Sequence, residues 1–416
     1  MPTPVESGAA ELPHPRTWVH RRSWAVRLDG SKFGLRGPAA LGYCLPVANS
    51  VAGARSQKGR FPQCSRLEVG CWRGGVALAS TNVATDVALD VGTSYTRLAT
   101  SERGIVYAEP TVVAINTRTG SVVAVGHAAI QAVVRSPEHV VAFRPLAKGA
   151  TVDFDVAARL FRSVFDRVGF SRVSRVRAVM SVPALATSIE RRALRQAVLQ
   201  AGAVEASLIE TPMAAAIGLG MPIHDPVASA VVCLGAGSSE AAVISLGGIV
   251  TGRSLRVGGI DVDGAIATML RQKSGVVAAP QVVESLKKDL ASALRRTDGA
   301  SRIIPARTVD RGEPVNVEAT AVAINMSIRE IVNSTIRMVQ ETLSEAPPDL
   351  AQDVLTQGLT IVGGHALIGD LAELIGTETG LAVHVAPDPE LVVIRGLERC
   401  LGEMHSLRAL FRSADR

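Results

Sequence analysis

The spacing of apolar and polar positions changes character near Val83. From Pro2 to about Asn82 no period of 2 or 3.6 is sustained, and glycines, prolines and arginines are scattered throughout. Such a stretch reads as a poorly ordered extension or a mis-assigned start. Beyond it, strand-like and helix-like segments alternate. Val87-Ala-Leu-Asp90 is a short apolar run ending in an acid, and Thr111–Asn116 and Ser121–Val125 flank the turn signal Arg118-Thr-Gly120, which predicts a hairpin. Val156, Leu160, Phe161, Val164, Phe165 and Val168 recur at helical spacing within Asp155–Val168. Arg177–Pro183 reads as a strand, and Thr187-x-x-Glu190 as a capping box opening a helix that ends at Gly202. The same grammar returns from Ala228 to Val250. Helical patterns follow at Gln281–Leu294 and Thr320–Ser344, the second stopped by Pro347-Pro348, and a last strand-turn-helix unit begins at Leu359. Strands interleaved with helices on this scale predict two α/β domains.

Composition narrows the class. The 416 residues are 47% hydrophobic and 20% charged, and allow a large core. No uncharged apolar run reaches the ~18 residues of a membrane span. Disorder, collagen-like repeats and a helical membrane protein are therefore excluded. A net charge of +6 suggests a nucleic-acid binder until its position is considered: residues 1–84 hold 11 Lys and Arg against 4 Asp and Glu, which leaves the body near neutral. No nucleic-acid partner is expected. Cys44, Cys64 and Cys71 lie in this segment together with Trp18, Trp24 and Trp72, and the rest of the chain has only Cys233 and Cys400. An odd total without a CxxC pair supports neither a disulfide scaffold nor a zinc site, and fits a reducing cytoplasm. Leu41–Val51, behind several arginines, has the apolar character of a signal peptide, but Pro46 and Asn49 interrupt it and it starts late.

The candidate chemistry lies in an internal duplication. Val87-Ala-Leu-Asp-Val-Gly-Thr-Ser94 and Val231-Val-Cys-Leu-Gly-Ala-Gly-Ser-Ser239 each place a strand before a glycine turn with small hydroxyl residues. Glycines let the backbone approach a ligand and expose successive N–H donors to phosphate oxygens, and the hydroxyls add more. Asp90, at a strand end, is suited to hold a hydrated Mg²⁺ through water. A third loop, Ile361-Val-Gly-Gly-His-Ala-Leu367, could pass against a purine or its α-phosphate. Each loop alone reads more readily as a plain tight turn; three in this order are unlikely by accident, and the first two, one per domain, could meet across a cleft.

These residues resemble the actin/Hsp70/sugar-kinase superfamily, and within it the bacterial actin MreB. Leu208-Ile-Glu-Thr-Pro-Met-Ala-Ala-Ala-Ile-Gly218 is similar to the MreB segment LIEEPMAAAIG, and Arg144-Pro-Leu146, Asp153-Phe-Asp155, Val243–Val250 and Arg256-Val-Gly-Gly259 match as well. The likeness runs from about Val83 to Leu401. It implies an α/β, actin-like (ribonuclease H-like) duplicated fold of two lobes and four subdomains, with a nucleotide cleft. Lobe I would span 83–226, lobe II 227–398, and a tail at 399–416 would return to lobe I. It further implies ATP and Mg²⁺ as cofactors and self-association into head-to-tail filaments. These would lie in the cytoplasm on the inner face of the cytoplasmic membrane and organise cell-wall synthesis and cell or spore shape with MreC, MreD and RodZ-like partners. By position, Asp90, Gly92, Thr93 and Ser94 would form the first phosphate loop and Gly235, Gly237 and Ser238 the second. Glu284 and Lys287 match the AExIK motif beside ribose and base. Gly363 and Gly364 match the adenosine loop, where His365 stands in for a third small residue.

Two positions depart from the family pattern. Cys233 replaces the aspartate that opens DIGGGTTE, and Thr211 replaces the second glutamate of EEP, which positions the attacking water. A thiol is mostly protonated at neutral pH and interacts poorly with hydrated Mg²⁺, and a threonine cannot remove a proton from water. Hydrolysis is therefore expected to be weak or absent. A nucleotide-independent pseudo-ATPase scaffold and a sugar kinase-like phosphotransferase are the alternatives. An Hsp70-like chaperone would need a further substrate-binding domain. The loop Arg167–Arg177 matches the family's membrane loop, where Phe170 with Arg172 and Arg175 would meet anionic headgroups, or Phe170 would simply pack beneath the loop. Trp18, His20, Arg21, Arg22 and Trp24 would offer a second basic anchor.

Overall fold

The computed structural model describes residues 84–402, Arg172 apart, so the expectations for residues 1–82, Arg172 and 403–416 lie outside it. Two five-stranded sheets with the same topology form its frame. In the first, β1 (Thr85–Val91), β2 (Tyr95–Thr100) and β3 (Gly104–Pro110) make an antiparallel meander, while β4 (Val176–Val182) lies parallel to β1 and β5 (Ala203–Glu210) parallel to β4. The second repeats this with β6 (Ser229–Leu234), β7 (Ser239–Ser245) and β8 (Gly248–Leu255) as the meander, β9 (Leu359–Val362) parallel to β6 and β10 (Val383–Val385) parallel to β9. The likeness between the two glycine loops is thus carried by whole sheets.

Helices cover these sheets for reasons visible in their ends. Helix α1 (Phe154–Val168) starts where the Asp153 side chain accepts the Val156 N–H, and stops at Gly169, whose φ of 98° reverses the chain. It buries Leu160, Phe161, Val164 and Phe165 against the first sheet. Helix α2 (Ser188–Gln200) opens with the capping box of Thr187 and Glu190. Helix α3 (Thr211–Leu219) follows β5 without a break and buries Met213, Ala214, Ala215 and Ala216. In the second half α4 (Gly259–Ser274) and α5 (Pro280–Leu290) pack against each other and against α6 (Ala321–Ser344), which itself lies on β7 and β8. All residues of β6 and β7 are buried, as expected for strands covered on both faces. Smaller sheets lie apart from each frame: Val113–Asn116, Val122–Val125 and Val140–Phe143 in the first half, and Val276–Val277, Ser301–Thr308 and Pro314–Thr320 in the second.

A last helix, α7 (Val392–Gly402), runs across position 398 and crosses α3 at backbone contact. A Cβ on Gly396 would sit 1.8 Å from the Ala214 carbonyl oxygen, and one on Gly218 would sit 2.2 Å from that of Val392. Val231, Cys233 and Val362 of the second sheet join α3, α7 and Val179 of the first in one apolar cluster. The two halves thus share a core beneath the glycine loops.

Candidate functional site

The two glycine loops adopt the same turn. Gly92 N–H donates to the Tyr95 carbonyl at 3.0 Å, and Gly235 N–H to the Ser238 carbonyl at 2.9 Å. A strap fixes each. Thr111 Oγ1 donates to the Gly92 carbonyl at 2.7 Å and lies 2.9 Å from Thr96 Oγ1, and Ser239 Oγ donates to the Val257 carbonyl at 2.8 Å. The loops face each other closely, since a Cβ on Gly237 would lie 2.3 Å from Thr93 Oγ1 and 2.9 Å from the Lys148 amide. Only glycine permits that approach. Ser94 is partly buried and accepts the Thr111 N–H through its carbonyl, while Ser238 lines a cleft between the halves with Lys148, Pro183, Glu190 and Arg256. The Glu190–Arg256 and Lys148–Asp261 ion pairs join the halves along this rim.

Beneath the loops the duplication sets Asp90 opposite Arg97 in the first meander and Cys233 opposite Glu240 in the second. Asp90 accepts from Arg97 Nη1 at 3.3 Å and from Ser181 Oγ at 3.1 Å, yet burial pushes its carboxyl above the ordinary range. Burial also holds the Cys233 thiol well above its usual value, with the charges of Glu240 and Asp90 adding to the shift, so it is a neutral S–H here. Thr211, the first residue of α3, donates its hydroxyl to the Val182 carbonyl at 3.1 Å. Glu210 turns away to pair with Arg191 at 3.5 Å. The motif reading passed over Glu240. It is 2% exposed and accepts the Ala184 N–H across the lobe boundary at 2.8 Å, and burial pushes its carboxyl up to about 7. The signal for it was a lone charge in the wholly buried strand β7.

Glu240 gives the lobe junction a pH dependence. A carboxyl raised from 4.5 to about 7 binds its proton more tightly in the folded chain, so the stability it carries is complete below 4.5 and is lost as pH rises through 7. The loss is on the order of 3 kcal/mol. Glu240→Gln, which keeps an acceptor for Ala184, is expected to flatten the denaturant-measured stability profile between pH 5 and 8 and to exceed the parent at pH 8. Parallel profiles for the two chains would contradict this.

The third loop closes the far side. Gly363 has φ 92°, and a Cβ there would meet the Leu234 carbonyl at 2.2 Å, while Gly364 has open space around it. His365 follows within a short 3₁₀ turn, Gly364–Leu367. On α5, Lys287 Nζ bonds Asp263 at 2.9 Å and the Gly259 carbonyl at 3.1 Å, and Glu284 pairs with Lys288 at 2.8 Å. Arg144 reaches the first loop, donating to the Thr93 carbonyl at 3.0 Å, and is close enough to Glu284 and Asp263 to feel their charge. The structure thus brings the three loops and Lys287 close together, with Glu284 within electrostatic range of Arg144. Among them the His365 imidazole is buried with neither ring nitrogen partnered among the described residues.

The Arg167–Arg177 loop is built differently from the rest. Phe170 N–H donates to the Phe165 carbonyl, closing the end of α1, and the two rings meet edge-on at 6.4 Å, so Phe170 is half-buried. This pairing across a left-handed glycine is the usual apolar contact of such helix ends. Arg175 is exposed, and Val173, at 90% exposure, is the apolar side chain that projects. Among the described residues no helix is long and apolar enough to cross a membrane.

The MreB/Mbl protein family model matches residues 84–409. The cell shape-determining protein MreB of Escherichia coli (strain K12) is 37% identical over 320 residues, covering 75% of this chain and 92% of the relative. The cell shape-determining protein Mbl of Bacillus subtilis (strain 168) is 31% identical over 325 residues, covering 78% and 98%. Among solved structures, MreB5 of Spiroplasma citri bound to ADP superposes with a TM-score of 0.72 at 27% identity over 78% of this chain and 98% of that one, and its AMPPNP form with 0.73. The MamK double helical filament, at TM-score 0.65 and 21% identity, covers 77% and 99% and shares the fold. The duplicated two-lobe architecture is therefore the actin-like fold.

Proposed function

The chain belongs to the MreB/Mbl family of cell shape-determining, actin-like cytoskeletal proteins, and from that premise we propose that it binds ATP between its lobes and assembles into filaments while hydrolysing the nucleotide slowly or not at all. The observation that carries this reading is the pairing of the glycine loops, brought together as the resemblance implies, with altered chemistry beneath them: a neutral thiol at Cys233 and a hydroxyl at Thr211 already given to a backbone carbonyl. In this reading 83–226 and 227–398 are the two lobes. Asp90, Gly92, Thr93 and Ser94 hold phosphate oxygens with Gly235, Gly237 and Ser238. Glu284, Lys287, Gly363, Gly364 and His365 surround the nucleoside. The ADP- and AMPPNP-bound MreB5 structures support nucleotide as the ligand, and the MamK filament supports self-assembly as an ability of the fold.

Magnesium fits only as a passenger on the phosphates. The described residues contain no group of three His, Cys, Asp or Glu able to hold a metal ion, and Asp90 already bonds Arg97 and Ser181, which leaves it a contact through water. Phosphate release by the full chain, assayed beside the E. coli relative under one buffer, tests the reading. A rate ~10²-fold or more below the relative is expected from the missing base, and an equal rate would refute it.

Attachment to the inner face of the cytoplasmic membrane, with MreC-, MreD- or RodZ-like partners beyond it, belongs to the same proposal. Val173 supplies the inserting side chain and Arg175 a cation for anionic headgroups, since Phe170 is spent on the helix end. Val173→Asp is expected to abolish co-sedimentation with anionic vesicles while leaving thermal stability unchanged. Undiminished binding would remove this loop from the membrane contact.

A further inference from the structure

We propose that the Arg97 guanidinium supplies the positive charge that a divalent cation would otherwise bring to the phosphates, so that the cleft holds ATP without magnesium; the inference rests on the cleft being a nucleotide site. Arg97 lies opposite Asp90 in the hairpin whose turn is the first glycine loop, and one residue pair, Val91 with Thr96, separates them from that turn. The pair faces the second lobe. Ala88 and Ala99, next along the same face, belong to the apolar cluster that the two sheets share, and the charge of Asp90 acts on Cys233. Arg97 is therefore held beneath the first loop on the side where the lobes meet.

The guanidinium is fixed there and keeps most of its donors. Its carbon lies over the Tyr95 ring, 5.4 Å from the centre, and Nη1 donates to Asp90 at 3.3 Å. Tyr95 is 39% exposed and acts electrostatically on Arg144 and on Lys288 of α5, which places it on the cleft side of the hairpin. A guanidinium carries five N–H donors, and the bond to Asp90 is the one hydrogen bond of this side chain among the described residues. The side chain is 13% exposed, yet Nε and Nη2 are not sealed off. Such a planar fork suits phosphate oxygens. The surrounding charge points the same way. The resemblance implies an aspartate at position 233, and two carboxylates beneath the loops would repel a triphosphate unless a divalent cation lay between them. Here position 233 is a neutral thiol, the Asp90 oxygens are taken by Arg97 and Ser181, and Glu240 is turned to the Ala184 N–H. One carboxylate is gone and the other is paired, so the charge that a metal would screen is removed and a fixed cation stands beside it.

The test is equilibrium binding of ATP to the full chain and to its Arg97→Gln, Arg97→Lys and Cys233→Asp variants, each in Mg²⁺ and in EDTA, with thermal unfolding as the fold control. The parent is expected to bind ATP within ~3-fold equally in the two buffers. Arg97→Gln should bind ~10–100-fold more weakly in EDTA, the worth of a charged hydrogen bond, and recover in Mg²⁺, since Asp90 is then free to hold the ion through water. Arg97→Lys keeps the charge and should stay closer to the parent. Cys233→Asp, which brings the second carboxylate, should need Mg²⁺ to bind. Should Arg97→Gln not fold, the parent decides by keeping or losing its affinity in EDTA. A parent ~10-fold or more weaker in EDTA, or an Arg97→Gln chain that binds in EDTA as the parent does, would overturn the inference and leave the nucleotide reading intact. No binding by any of the chains in either buffer would overturn both.

Discussion

Thr211→Glu is expected to raise phosphate release by ~10²–10⁴, the usual worth of a positioned base. Position 211 is the first residue of α3, directly after Glu210, and a carboxylate in the first turn of a helix is favoured by the exposed N–H groups there. The exchange forfeits the hydroxyl bond to the Val182 carbonyl, worth ~1 kcal/mol, so the fold should tolerate it. Adding Cys233→Asp has a different signature. The new carboxylate would be buried among Asp90 and Glu240, whose charges already act on that site. The double variant should therefore melt lower than Thr211→Glu without ligand and recover with Mg-ATP, while hydrolysing faster still. Steady-state phosphate release and thermal unfolding with and without Mg-ATP check both halves. An unaltered rate in both variants would mean that the slow step lies elsewhere.

The largest loss of stability is expected at Gly396. Its missing Cβ would fall 1.8 Å from the Ala214 carbonyl oxygen and 2.9 Å from the Gly218 amide, so any side chain drives α7 off α3. Gly396→Val should cost ~3 kcal/mol or more, since overpacking against backbone leaves no flexible side chain to yield. Gly264→Ala provides the contrast. That glycine lies within α4 with nothing within 4 Å of its would-be Cβ, so alanine should stabilise by up to ~1 kcal/mol through helix propensity alone. Urea unfolding of the three chains measures both. A Gly396→Val chain as stable as its parent would show that the α3–α7 contact is not what joins the two sheets.

Features with a local cause were legible in the sequence. The Thr187–Glu190 capping box formed as read, and the 113–125 hairpin turned at Gly120, whose φ of 66° suits a residue without a side chain. Features set by distant partners were not. The helix expected over Gln281–Leu294 ends at Leu290, because Ala291 turns extended and Ser292 pairs with Gly369 from across the lobe. Pro347-Pro348 stopped one helix as expected and also began another, Pro348–Gln357, since proline suits a first helical turn. In the site, glycine spacing located the loops, but the opposition of Cys233 and Glu240 needed strand register, and the orphaned nitrogens of His365 needed the packing of three separate segments.

Electron microscopy of the full chain on anionic lipid, with Mg-ATP and without nucleotide, tests whether a nucleotide held between the lobes controls assembly although its hydrolysis is impaired. Membrane-bound filaments are expected with Mg-ATP, absent without nucleotide and persistent long after addition because the ATP is consumed slowly or not at all. Filaments indifferent to nucleotide would contradict it and leave a scaffold whose cleft no longer acts as a switch.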